Sequence, residues 1–184
     1  MKKISLLGST GSIGVNTLDV VDRNPESFQV LAMSAGSNVD LFAEQVRKFK
    51  PKIASLFDST KISTLKERVA DLDVEIIIGD EGSIAVATLP ETDVVVSGVV
   101  GSAGLIPAIE ALKAGKNLAL ANKETLVIAG ELVLREAEKT NSQIIPIDSE
   151  HSAIFQALNG EKKERIKKII LTASGGPFRT FSLD

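Results

Sequence analysis

Several short runs of this sequence carry residue types whose spacing could do chemistry. Gly8-Ser9-Thr10-Gly11-Ser12-Ile13-Gly14 has the spacing G-x-x-G-x-x-G, one residue longer at its front than the common dinucleotide fingerprint. Glycines let a backbone turn tightly and approach a pyrophosphate, and the last permits close helix–strand packing. A helix starting there offers unpaired N–H groups and a partial positive charge to phosphates. Thr10, Ser12 and Ile13 would contribute amides, the first two hydroxyls as well. A tight turn that holds nothing would use the same glycines, but the position after the first strand favours a dinucleotide.

Asp148-Ser149-Glu150-His151 is the second run. On an extended chain, positions i and i+2 point to the same side. Two carboxylates so placed repel unless a cation lies between them, and a hard divalent ion such as Mg2+ or Mn2+ fits, with a further ligand from elsewhere. Spacing alone favours a plainer alternative, an exposed acidic turn with Asp148 or Ser149 capping a short helix. His151, the only histidine, is assigned no catalytic role. Asn122-Lys123-Glu124 follows a strand at the edge where doubly wound sheets bind ligands. Lys123 could hold an anionic or hydroxylated substrate and Glu124 could orient a nicotinamide; a helix start capped by Asn122 explains the same residues equally. Ser174-Gly175-Gly176 resembles a small phosphate nest, and equally a plain turn.

The end of the second strand bears on which dinucleotide is bound. NAD sites usually place Asp or Glu there, on the ribose 2′-hydroxyl. Here Ser34-Ala35-Gly36-Ser37-Asn38 holds no acid. A carboxylate would repel a 2′-phosphate, so its absence leans toward NADP, with Ser37 and Asn38 as hydrogen-bond donors. No Arg sits beside them, and either residue could also cap the next helix.

These runs need a scaffold, and strand and helix signals alternate along the chain. Strands are expected at 3–7, 28–34, 53–57, 74–78, 93–97, 117–121, 143–147 and 166–172. Helices are expected at 13–22, 39–49, from a Ser59 or Thr60 cap to about 70, and at 82–89, 105–114, 124–139 and 152–158. That rhythm implies βαβ units and an α/β, Rossmann-like doubly wound parallel sheet. A boundary near 146–148 would divide a dinucleotide-binding domain, 1–147, from the start of an α+β catalytic domain, 148–184.

Composition narrows the function classes. The 184 residues carry a net charge of −3, so no basic face argues for nucleic acid. Seven Phe with no Tyr or Trp make poor stacking platforms for single strands. No Cys is present, which excludes disulfides, zinc-thiolate sites and thiol nucleophiles. No apolar run is long enough to span a membrane, and the first is too short for a signal peptide. A cytoplasmic protein is expected, and the untidy end at 175–184 reads as a chain cut short.

Together, GSTGSIG at 8–14, LANKE at 120–124, PIDSEHSAIFQ at 146–156 and TASGGPF at 172–178 closely resemble the 1-deoxy-D-xylulose 5-phosphate reductoisomerase family. The resemblance spans nearly the whole chain. It implies an NADPH- and divalent-metal-dependent enzyme that isomerises its sugar-phosphate substrate and reduces the aldehyde intermediate to 2-C-methyl-D-erythritol 4-phosphate, in isoprenoid precursor synthesis. Carried over by position, it implies that Thr10, Gly11, Ser12, Ile13, Gly36, Ser37, Asn38, Asn122 and Glu124 contact NADPH. It places Asp148 and Glu150 on the metal, Lys123 and Ser149 on substrate, and Ser174 on the substrate phosphate. Lys123, Asp148 and Glu150 would then be the catalytic set. The family also implies a homodimer. Many members carry a basic residue where this chain has Ser37. Members are much longer, so this chain is expected to bind NADPH but to be catalytically incomplete. The rival readings are a non-catalytic NADP-binding module, which would need the glycine turn but not the acidic pair, and another NADP-dependent dehydrogenase.

Overall fold

Val94-Val95-Val96 and Leu118-Ala119-Leu120 are apolar without a break, a pattern that suits strands covered on both faces. In the computed structural model, which describes residues 1–171 and 181, both lie inside one sheet. Its strands are β1 (Lys2–Leu7), β2 (Phe28–Ala35), β3 (Ile53–Leu56), β4 (Glu75–Ile78), β5 (Val94–Ser97), β6 (Asn117–Leu120) and β7 (Ile144–Pro146). All pair in parallel, in the order β4-β3-β2-β1-β5-β6-β7. Every strand therefore ends on the same edge.

The connecting helices are α1 (Ser12–Arg23), α2 (Val39–Phe49), α3 (Ile62–Arg68), α4 (Gly79–Thr88), α5 (Leu105–Lys113) and α6 (Glu124–Thr140). Strand side chains alternate between faces, and two cores result. Leu6, Met33, Val96 and Ala119 pack with Leu18 of α1, Phe42 and Val46 of α2, and Leu65 of α3. Leu7, Ala32, Val95 and Leu118 pack on the other face with Val86 of α4, Leu112 of α5 and Val133 of α6. The chain winds one way from β1 through β2, β3 and β4. It then crosses back to lay β5 on the other side of β1.

α7 (Ser149–Leu158) follows β7 and buries none of its residues. It begins three residues before the expected 152. α4 likewise begins three residues before the expected 82. Asp58, not Ser59 or Thr60, caps the turn after β3: its carboxylate accepts from the Thr60 N–H across a short 3-10 turn, Ser59–Lys61, that leads into α3. α6 is not one straight helix. Its backbone leaves helical geometry at Ala129, next to Gly130. The run at 166–171 is not a strand, since it has no ladder partner among the described residues; Thr172 lies outside them.

Candidate functional site

The crevice of a doubly wound sheet opens where the strand order reverses, at the carboxyl ends of the two strands that part there. Here those strands are β1 and β5, and the glycine turn leaves β1 at that point. Gly8 has φ +80°, a conformation that side chains rarely adopt. A Cβ on it would also meet the Gly98 carbonyl at 3.1 Å. The Gly8 and Ser9 amides donate to the Ser34 carbonyl at 3.0 and 2.8 Å. The buried Gln45 of α2 donates its side-chain amide to the Ser9 carbonyl at 2.9 Å. Gly14 lets α1 press against the turn: a Cβ there would fall 2.3 Å from the Gly8 carbonyl oxygen and 2.5 Å from the Ser9 Cα.

The Gly11 amide donates to the Gly8 carbonyl at 3.1 Å, so it serves the turn itself. No side chain caps α1. In its first turn Ser12 is exposed, while the Ile13 side chain packs against the core. Thr10 and Gly11 line a cleft of about 280 Å³ with Gly36, Phe57, Gly98 and Val99. Backbone turned tightly at Gly8, packed closely at Gly14 and followed by an uncapped helix start fits a dinucleotide.

At the end of β2, Gly36, Ser37 and Asn38 are exposed. Asn38 caps α2, its Oδ1 accepting from the Leu41 N–H at 3.3 Å. The Asp58 N–H donates to the Gly36 carbonyl at 3.1 Å, and Lys61 Nζ donates to the Ser37 carbonyl at 2.9 Å. Asp58 itself is held below the usual carboxylate range, chiefly by the Thr60 hydroxyl, then by the Thr60 N–H and the Lys61 charge.

Asn122 is not the cap of α6; Lys123 holds that position, with no side-chain cap bond. The Asn122 side chain is buried and bridges two strand exits. Its NH2 donates to the carbonyls of Val99, at 2.5 Å, and Gly101, at 3.0 Å. Its Oδ1 accepts from the Thr125 hydroxyl at 2.6 Å. Both side-chain donors are committed inside the protein, so the cleft meets Asn122 through its neighbours. Lys123 is exposed and Glu124 half-buried beside it.

The acidic pair is arranged differently from adjacent teeth of a strand. Asp148 is extended, but Ser149 and Glu150 already belong to α7. Asp148 caps that helix through the His151 N–H at 2.7 Å, and its other oxygen meets His151 Nδ1 at 2.6 Å. The Ser149 hydroxyl donates to Glu150 at 2.7 Å. That bond leads in holding the Glu150 carboxyl below its usual range; the Lys123 charge lowers it further, while Asp148 pushes it up. Glu150 therefore feels both Lys123 and Asp148 across the exits of β6 and β7. Two mutually repelling carboxylates suit a hard cation. No group of three or more His, Cys, Asp or Glu forms a metal cluster among the described residues. Ser174 lies outside those residues.

The cleft wall from β5, at 98–100, and Phe57 were not singled out from sequence, nor were Asp80 and Ser83 of α4, which also line it. One signal was present. Ser97-Gly98 ends the triple-valine strand, and that strand is the other lip of the switch point once it is placed beside β1.

A doubly wound parallel sheet with a glycine turn at its switch point defines a Rossmann-like α/β domain of the kind that takes dinucleotides, here with an acidic locus on the same edge. The sequence model of 1-deoxy-D-xylulose 5-phosphate reductoisomerase matches residues 4–130, and that of its C-terminal domain matches residues 144–184. The chain belongs to this family. It is 53% identical over 179 residues to the 1-deoxy-D-xylulose 5-phosphate reductoisomerase of Lachnospira eligens, covering 97% of this chain and 47% of that protein. Its fold matches that of the Zymomonas mobilis enzyme in complex with NADPH, with a TM-score of 0.90 and 39% identity, over 98% of this chain and 48% of that one. A reductoisomerase structure in complex with magnesium matches equally, with a TM-score of 0.90 and 39% identity, over 99% of this chain and 48% of that one. The chain thus spans about half the length of the relatives it matches.

Proposed function

We propose that this chain binds NADPH and supplies the opening part of an active site that isomerises and reduces 1-deoxy-D-xylulose 5-phosphate to 2-C-methyl-D-erythritol 4-phosphate. One observation carries the proposal. The glycine cradle opens on the same sheet edge as Lys123, Asp148 and Glu150, so a dinucleotide and a cation-held substrate would meet there. Residues 1–147 form the cofactor half, and 148–184 begin the catalytic half.

Thr10, Gly11, Ser12 and Ile13 hold the pyrophosphate on the uncapped first turn of α1. Gly36, Ser37 and Asn38 take the ribose. Asn122 fixes the Val99 wall of the cleft, and Glu124 stands on the nicotinamide side. Asp148 and Glu150 hold the cation as two oxygen donors; Ser149 and Lys123 favour the charged form of Glu150. Lys123 draws anionic substrate oxygens toward that locus, Ser149 bonds a substrate hydroxyl, and Ser174 receives the substrate phosphate. When bound, NADPH supplies the hydride. When bound, Mg2+ or Mn2+ supplies Lewis-acid polarisation of the substrate oxygens. The setting proposed is cytoplasmic and the assembly a homodimer. No helix of the described residues is long and apolar enough to cross a membrane.

The 184-residue chain is expected to bind NADPH saturably, read by nicotinamide fluorescence, while oxidising it little or not at all with substrate and Mn2+ present. In a chain extending over the full length of its relatives, substrate-dependent NADPH oxidation is expected, and Asp148→Ala and Glu150→Ala each abolish it. A chain that binds no dinucleotide, or variants that keep full activity, would end the proposal.

A further inference from the structure

A 2′-phosphate is a dianion, and a site that selects for it needs positive charge as well as hydrogen-bond donors. The turn that reads the ribose, at the end of β2, provides donors only. Ser37 has a hydroxyl and Asn38 a side-chain NH2 left over from capping, but no Lys or Arg occurs from Ser34 to Asn38. The charge comes from a distant part of the chain. β3 lies beside β2, and its exit is stitched to the same turn by the Asp58 N–H on the Gly36 carbonyl. The 3-10 turn that follows delivers Lys61, whose Nζ sits 2.9 Å from the Ser37 carbonyl.

Asp58 feels the Lys61 charge but makes no ion pair with it, and its bonds go to the Thr60 hydroxyl and N–H at 2.6 and 3.1 Å. Asp40, in the first turn of α2, pairs with Arg68 at 2.6 Å. No carboxylate forms an ion pair with Lys61 among the described residues. Its one hydrogen bond is to a neutral carbonyl, which leaves donor capacity beside the turn assigned to the ribose. An ammonium on a flexible stem can turn from that carbonyl to a phosphate without moving the backbone.

We infer that Lys61 is the specificity-determining cation of the cofactor site: it supplies the charge that the β2 turn lacks, and so selects NADPH over NADH. This rests on the proposed dinucleotide site and names how that site tells its two cofactors apart.

The test is titration of the chain with NADPH and with NADH, followed by nicotinamide fluorescence, for the parent, Lys61→Ala and Lys61→Arg. Lys61→Ala should weaken NADPH binding about tenfold, the loss of one charge-assisted contact, and leave NADH within about twofold. Lys61→Arg should restore most of the NADPH affinity. Lys61 is exposed, so the thermal midpoint should not move, which separates a lost contact from a damaged turn. Unchanged NADPH affinity in Lys61→Ala, equal weakening of both cofactors, or a parent with no preference for NADPH would each overturn the inference. A parent that binds neither cofactor would overturn the proposed function itself, and the inference with it.

Discussion

Leu6, Leu7, Phe42, Leu112 and Leu118 are wholly buried around the sheet. In α7 and the segment behind it, Phe155 is 49% exposed, Ile170 74% and Leu171 56%. The glycine cradle stands on the first kind of foundation. Its shape follows from close approaches of backbone to backbone, held by two cores. The acidic pair stands on the second kind. Asp148 and Glu150 are held by contacts no further away than His151 and Ser149. The cradle's shape is set by the fold, whereas the acidic pair is kept in position by short-range bonds alone.

The sharpest way to break this contrast is to truncate one aromatic residue in each region. Phe42→Ala should cost about 3–5 kcal/mol of global stability, whereas Phe155→Ala should stay within about 0.5 kcal/mol. Urea midpoints of the two variants measure this, and equal losses would erase the distinction. Gly14→Ala probes the cradle itself. Its Cβ would be driven into backbone atoms that cannot swing aside, so a loss of about 1–3 kcal/mol is expected, together with loss of NADPH binding in the fluorescence titration. Retained binding would mean that the cradle adapts instead of being prebuilt. On stability, Asp148→Ala should act on one helix only. Removing the cap should take about 1 kcal/mol from α7 alone, seen as faster amide exchange in that helix, while the global midpoint holds. A shift of the global midpoint would show that α7 is part of the main cooperative unit.

Much of the first region was legible because its signals are local. α2 matched its expected limits at both ends, its apolar positions being spaced for one face, with Pro51 just beyond. The triple valine of β5 marked a strand covered on both sides, and the glycine turn marked the switch point. Helix starts were less legible. Gly79-Asp80-Glu81 and Ser149-Glu150 look like loop by composition, yet acids are favoured in a first helical turn, and both helices begin before their apolar pattern does. The run at 166–171 has strand-like residues, but a strand also requires a partner, and no local sequence supplies one. The contacts that refine the site were invisible for the same reason. Asn122 meets carbonyls 23 and 21 positions back, and Lys61 reaches a carbonyl 24 positions back. Spacing along the chain carries no trace of pairings that only the sheet order creates.

The bridging amide of Asn122 has a spatial consequence. It joins the backbone lining one side of the dinucleotide cleft to the residue just before Lys123, with Thr125 locking it from behind. The wall at Val99 and the exposed Lys123 thus stand on opposite ends of one buried side chain and its three bonds. The Val99 wall and the start of α6 are thereby set relative to each other by one side chain.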